Sequence, residues 1–151
     1  MTQAQSAQHE VMMAIYMLWA SGLFATVYGF GERYCGNPGK PVPCIEGIPT
    51  ASGELVSHKI PQVAVPMPKN LIVRPVWISL RVEGGPCRRV RVVDKKNWRY
   101  IQRGGFDLNP KAVKVLTGRW PTKSWSAKVF LCDVYAVADQ PEDRPKSKRK
   151  L

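Results

Sequence analysis

The sequence predicts a single, mainly β domain, and three observations predict it. The chain has 151 residues, a common size for one domain and a crowded one for two. Thirteen Pro and twelve Gly are scattered along it, which favours short strands and turns over a helical bundle. Apolar residues make up 44% and charged residues 23%, ordinary values for a chain with a packed core and not for a disordered or fibrous one. No internal repeat is visible, which excludes solenoids and propellers.

Residues 1–24 are predicted to form a hydrophobic N-terminal helix. Residues 11–30 carry no charge over about the length a membrane span needs. Residues 11–20 have the character of a signal-peptide core, followed by the small residues Ala20, Ser21, Gly22 and Ala25. Residues 1–10 lack the Lys or Arg that normally opens such a segment, so three roles stay open. They are a cleaved signal peptide, an anchor giving membrane association through residues 11–30, and a helix packed against an assembly partner. An exported, periplasmic or membrane-associated protein is the expectation.

Residues 25–138 are predicted to be the β domain. Residues 25–29 read as a first strand, and residues 71–82 as one long strand or a pair broken at Pro75. A turn at residues 83–86 leads to residues 87–93 (CRRVRVV), whose alternation of basic and apolar residues suits a strand with one face in a core. Residues 109–116 read as a short helix capped by Asn109, opened by Pro110 and ended by Gly118. Residues 127–138 read as the closing strand. Residues 139–151 lack any apolar period and end in a basic cluster, which predicts a disordered tail.

Charge narrows the partners. Twenty-three Lys and Arg against eleven Asp and Glu give a formal charge of +12, so polyanions are favoured, nucleic acid and anionic cell wall alike. Basic and aromatic residues interleave at residues 95–100, but no nucleic-acid motif accompanies them, and nucleic acid ranks last. Cys35, Cys44, Cys87 and Cys132 lack paired zinc-ligand spacing, so disulfides are expected and reduced, buried thiols are the alternative. Cys35 and Cys44 bracket a turn-rich loop that favours their pairing, while Cys87 and Cys132 sit in strand-like runs; three connectivities stay open. Nothing in the spacing calls for a metal or an organic cofactor.

Three acids stand out by context. Glu54 ends the small-residue turn TASGE at residues 50–54, Asp94 ends the basic strand, and Asp107 precedes the predicted helix. Cationic neighbours would hold a carboxylate ionised, whereas burial would push it towards the protonated form of an acid catalyst. The structural alternatives are a helix cap for Asp107, an ion pair with basic neighbours for Asp94 and a surface turn for Glu54. His58 and His9 read as surface histidines.

The order of four segments resembles the double-psi β-barrel of the rare lipoprotein A family. The segments are residues 25–29 (ATVYG), 50–54 (TASGE), 90–94 (VRVVD) and 106–109 (FDLN). Weaker similarity extends to the three-aspartate domain and to expansin and barwin-type barrels. The resemblance spans roughly residues 25–137 and implies a six-stranded double-psi barrel with one or two short helices. It implies an exported, peptidoglycan-cleaving lytic transglycosylase of bacterial, phage-encoded or virion-associated kind. Asp107 matches the family's acid/base candidate, and Glu54 and Asp94 match its other acidic positions. Tyr28, Ser52, Trp98, Tyr100 and Trp120 become candidate substrate contacts, the aromatic ones as flat platforms for sugar rings. Residues 63–68 (VAVPMP) stand where the family has Ala-Ala-His-x-x-Leu-Pro, with no histidine in register. A non-catalytic glycan-binding or structural barrel is the alternative function.

Overall fold

The computed structural model describes residues 2–28, 34–37, 40–43, 47, 49–97 and 105–138. In chain order these form α1 (Gln3–Ala20), β1 (Leu23–Val27), β2 (Tyr34–Asn37), β3 (Lys40–Pro43), β4 (Gln62–Met67), β5 (Val76–Val82), β6 (Arg88–Asn97), β7 (Phe106–Leu108), α2 (Pro110–Thr117), β8 (Ser126–Leu131) and α3 (Val134–Ala138). Six strands close into a barrel in the order β1-β7-β4-β6-β5-β8, and β2 and β3 pair separately. The mainly β expectation therefore holds at the level of a closed six-stranded barrel with short helices.

Alternation decides what fills the barrel. Val63 and Val65 on β4, Ile78 and Leu80 on β5, Val90 and Val92 on β6, Phe106 and Leu108 on β7, and Val129 and Leu131 on β8 are all buried. The residues between them point outward, as the two-residue period of a strand requires.

The ladders repeat within the molecule. β1 runs parallel to β7, and β6 parallel to β4. β1 is antiparallel to β8, and β6 antiparallel to β5, while β4–β7 and β5–β8 are antiparallel pairs that close the ring. Exchanging β1 with β6, β4 with β7 and β5 with β8 leaves this map unchanged. The barrel thus has two equivalent halves, β1-β4-β5 and β6-β7-β8.

Helices close its ends. α1 starts well before the apolar run because Thr2 and Gln5 form a reciprocal cap, Gln5 N donating to Thr2 Oγ1 (3.1 Å) and Thr2 N to Gln5 Oε1 (2.8 Å). It ends at Ala20, and Gly22, at φ +95°, turns the chain into β1, two residues earlier than predicted. Its face of Ile15, Tyr16 and Trp19 is buried, with Trp19 Nε1 donating to Pro66 O (3.1 Å) and the indole edge-on to Phe106. Among the described residues no helix is long and apolar enough to cross a membrane. At the far end α2 forms as predicted: Asn109 Oδ1 accepts from Ala112 N (2.8 Å), Pro110 opens the helix and Gly118 ends it at φ +82°.

Three expected strands change extent. Of residues 71–82 only Val76–Val82 is strand; Leu71 and Val73 are buried ahead of it without a ladder, and Pro75 has no N–H to offer one. Residues 127–138 are not one strand. β8 stops at Leu131, and Asp133 Oδ1 accepts from Tyr135 N (3.0 Å) and Ala136 N (3.1 Å), a cap that starts α3. The basic strand runs on from residue 93 to Asn97 because its parallel neighbour β4 continues to Met67.

Cys87 and Cys132 form a disulfide (Cα–Cα 6.3 Å) that joins the start of β6 to the end of β8. The expected Cys35–Cys44 pairing lies outside the described residues, as do Trp98, Tyr100 and the tail at residues 139–151.

Candidate active site

Asp107 is the middle residue of β7, and its neighbours Phe106 and Leu108 are fully buried, so its side chain points out of the barrel. β7 is flanked on one side by β1, where Thr26 is the register partner, and on the other by β4, where the partner is Ala64. Ala64 is in turn paired to Asp94 on β6, across an irregularity between Val63 and Ala64 that sets Val93 out of register. Thr26, Asp107, Ala64 and Asp94 form one row across four adjacent strands.

The exchange that relates the two halves of the barrel carries Thr26 onto Asp94 and Asp107 onto Ala64. The row therefore lies across the axis of the internal symmetry. Asp107 and Asp94 are two strands apart on it, roughly 10 Å at about 4.8 Å per strand.

The two acids have different surroundings. Thr26 Oγ1 donates to Asp107 Oδ1 (3.1 Å). Burial pushes the Asp107 carboxyl above the ordinary carboxylate range; the Lys96 ammonium, then the Thr26 hydrogen bond, pull it part of the way back. Asp107 does not cap α2, since that role belongs to Asn109. Asp94 Oδ1 instead accepts from Lys95 N (2.9 Å) and Ala51 N (3.3 Å). That carboxylate pins residues 50–54 onto β6, and Ser52 N donating to Val93 O (3.0 Å) adds a second tie.

Glu54 lies at the other end of the same turn. It is held bidentate by Arg91, Arg91 Nε donating to both carboxylate oxygens at 3.0 Å and Nη2 to Oε1. Arg91 is only 6% exposed, so the pair is largely shielded from water. Glu54 and Arg91 line a cavity of about 370 Å³ with Ser57, Gln62 and Trp77. A larger apolar groove, about 690 Å³, runs between α1 and the barrel and contains none of the three acids.

The remaining candidates separate. The Ser52 hydroxyl is used within the turn, near Thr50 Oγ1 (3.1 Å) and accepting from Glu54 N (3.2 Å). Tyr28 follows β1, its N–H donating to Leu108 O (3.0 Å), which places it next to the row. Trp120 lies under Lys114 (5.2 Å) and Lys111 (6.0 Å) of α2. Thr26, Lys96 and Arg91 were not singled out by sequence reasoning. Thr26 sits inside the matched ATVYG segment, but Arg91 reads there as one more solvent-facing cation, and its partner is 37 residues away. Among the described residues no group of three or more His, Cys, Asp and Glu converges to hold a metal ion.

No protein-family model, curated protein or solved structure shows significant similarity to this chain.

Proposed function

We propose that the chain is a double-psi β-barrel that acts as an exported lytic transglycosylase on the glycan strands of peptidoglycan, with Asp107 as its acid/base. The observation that carries the reading is an outward-pointing carboxyl group whose proton affinity is raised by burial, hydrogen-bonded to Thr26 and in one row with Asp94 across the symmetry axis of a six-stranded barrel. The twofold ladder map, with one parallel pair in each crossing, supports the double-psi topology.

The chemistry needs one carboxyl group. Protonated Asp107 gives its proton to the glycosidic oxygen as the bond to the anomeric carbon breaks. The resulting carboxylate then takes the proton of the muramyl 6-hydroxyl as that oxygen bonds to the anomeric carbon. The product is a 1,6-anhydro ring, Asp107 is protonated again, and no water is consumed. A raised proton affinity suits the first step, and the Thr26 hydroxyl and Lys96 stabilise the carboxylate for the second. Asp94 is two strands away with its Oδ1 bound to backbone amides, so it suits positioning rather than a nucleophilic role. Glu54, locked to Arg91, shapes the adjoining cavity.

A second reading, a non-catalytic glycan-binding barrel, is favoured by the partners of Asp107: Lys96 and the Thr26 hydroxyl pull its carboxyl back towards the ionised form, which accepts hydrogen bonds from sugar hydroxyls but has no proton to give. Incubating the oxidised protein with murein sacculi and weighing the soluble products separates the two. Anhydromuramyl ends from the parent, reduced about 10²–10⁴-fold in Asp107→Asn, are expected of the enzyme. Equal, undetectable release from both folded proteins would leave only binding.

A further inference from the structure

The apolar groove between α1 and the barrel takes no part in the proposed reaction, and its walls define a ligand of their own. Its volume of about 690 Å³ lies within the range of sites that hold small molecules. α1 lines it from Gln5 to Trp19, roughly 21 Å at about 1.5 Å per residue, so the space is long and averages only about 30 Å² in cross-section. That shape suits one extended chain and not a compact ring system. Met12 and Met13 of α1 and Val65 and Met67 of β4 line it, and flexible thioethers adapt to a chain. Ile72, 81% exposed, belongs to the same lining and opens it to solvent.

The polar side chains of the groove are of one kind. They are Gln5, His9, Tyr16 and Arg74, and among the described residues no Asp or Glu lines it. Tyr16 is 5% exposed, and its hydroxyl has no hydrogen-bond partner among the described residues. Burial raises the proton affinity of that hydroxyl, and the nearby Arg74 guanidinium draws it part of the way back. A shielded hydroxyl without an acceptor is destabilising, and a bound acceptor removes that cost. An O–H donor beside a guanidinium matches a carboxylate.

We infer that the groove binds a free long-chain carboxylic acid, its chain along the apolar walls and its carboxylate accepting hydrogen bonds from the Tyr16 hydroxyl and Arg74. An extended peptide fits less well, because α1 bonds its own main chain internally and offers a peptide backbone no partners. The site shares no residue with the carboxylate row, so its occupancy is independent of the proposed reaction.

Calorimetric titration with laurate, dodecanol and octanoate tests this on the full, oxidised chain, since α1 supplies one wall. The parent is expected to hold laurate at least tenfold tighter than dodecanol, which has the same chain and no charge. Octanoate, four CH₂ groups shorter, should bind at least fiftyfold more weakly, at about fourfold per group. Arg74→Gln should lose the preference for laurate over dodecanol, and Tyr16→Phe, which keeps the ring, should weaken laurate about tenfold. Unfolding midpoints matching the parent verify that both variants fold, and the comparison of ligands on the parent needs no variant. Absence of saturable laurate binding, equal affinity of the parent for laurate and either other ligand, or an unchanged preference in Arg74→Gln overturns the inference. Sedimentation with phosphatidylcholine vesicles that is lost in Ile72→Glu but not reversed by laurate also overturns it, and assigns the groove to a membrane surface.

Discussion

Asp107 carries a thermodynamic signature separable from any activity. Its folded-state proton affinity is raised, so native protein holds this proton to higher pH than the unfolded chain does. The stabilising effect is complete below the ordinary carboxylate value of 3.8 and is lost as pH rises through the higher folded value. Asp107→Asn cannot ionise and escapes that loss. Urea unfolding at a series of pH values should show the stability of Asp107→Asn relative to the parent rising from pH 3.8 upward and levelling once Asp107 is ionised in the parent. A flat difference across that range would mean that Asp107 titrates normally. Glu54 predicts the opposite kind of effect. Glu54→Ala leaves a nearly buried guanidinium without its bidentate partner and should cost about 2–3 kcal/mol in the same assay. Asp107 stands out in the sequence because a motif surrounds it. The Arg91 clamp was not legible, because strand alternation shows which residues face outward but not which of those a distant loop will cover.

Elements differ in how openly the sequence declares them. α2 was readable end to end, since Asn109, Pro110 and Gly118 are local signals whose meaning does not depend on the rest of the fold. β4 is hard to read from the sequence, because Pro66 and Pro68 disguise it. The strand survives Pro66 because β7 reaches only Val63 and Ala64. The division of residues 127–138 turns on Asp133, a local cap set among β-branched and aromatic residues that by themselves read as strand. Asn109 does more than cap. Its Nδ2 donates to Ile60 O (2.9 Å) and Ser57 O (3.1 Å), and its Oδ1 also accepts from Gln62 N (2.9 Å), all in a residue 2% exposed. Asn109→Ala should therefore lower stability by about 2–3 kcal/mol, more than the ~1 kcal/mol of a solvent-exposed cap. A loss near 1 kcal/mol on chemical denaturation would show that capping alone matters here.

At the scale of the whole molecule the organising feature is the twofold map of ladders, and no sequence repeat betrays it. Backbone pairing constrains direction and register while leaving most side chains free, so two halves can diverge completely and still close one barrel. The carboxylate row depends on both halves: Thr26 and Ala64 come from the first, Asp94 and Asp107 from the second. Among the described residues the staple lies in the second half. Cys87 precedes β6 and Cys132 follows β8, so their disulfide encloses β6, β7, α2 and β8 in a loop with a sequence separation of 45. The chain entropy removed from the unfolded state by a loop of that size corresponds to about 4 kcal/mol. The double variant Cys87→Ala, Cys132→Ala should accordingly unfold at a markedly lower urea concentration than the oxidised parent, with a steeper dependence on denaturant because its unfolded state is more expanded. A change in midpoint without a change in slope would instead locate the effect in the native barrel, where the bond straddles β5, and would mean that the staple acts by holding β6 and β8 in place rather than by restricting the unfolded chain.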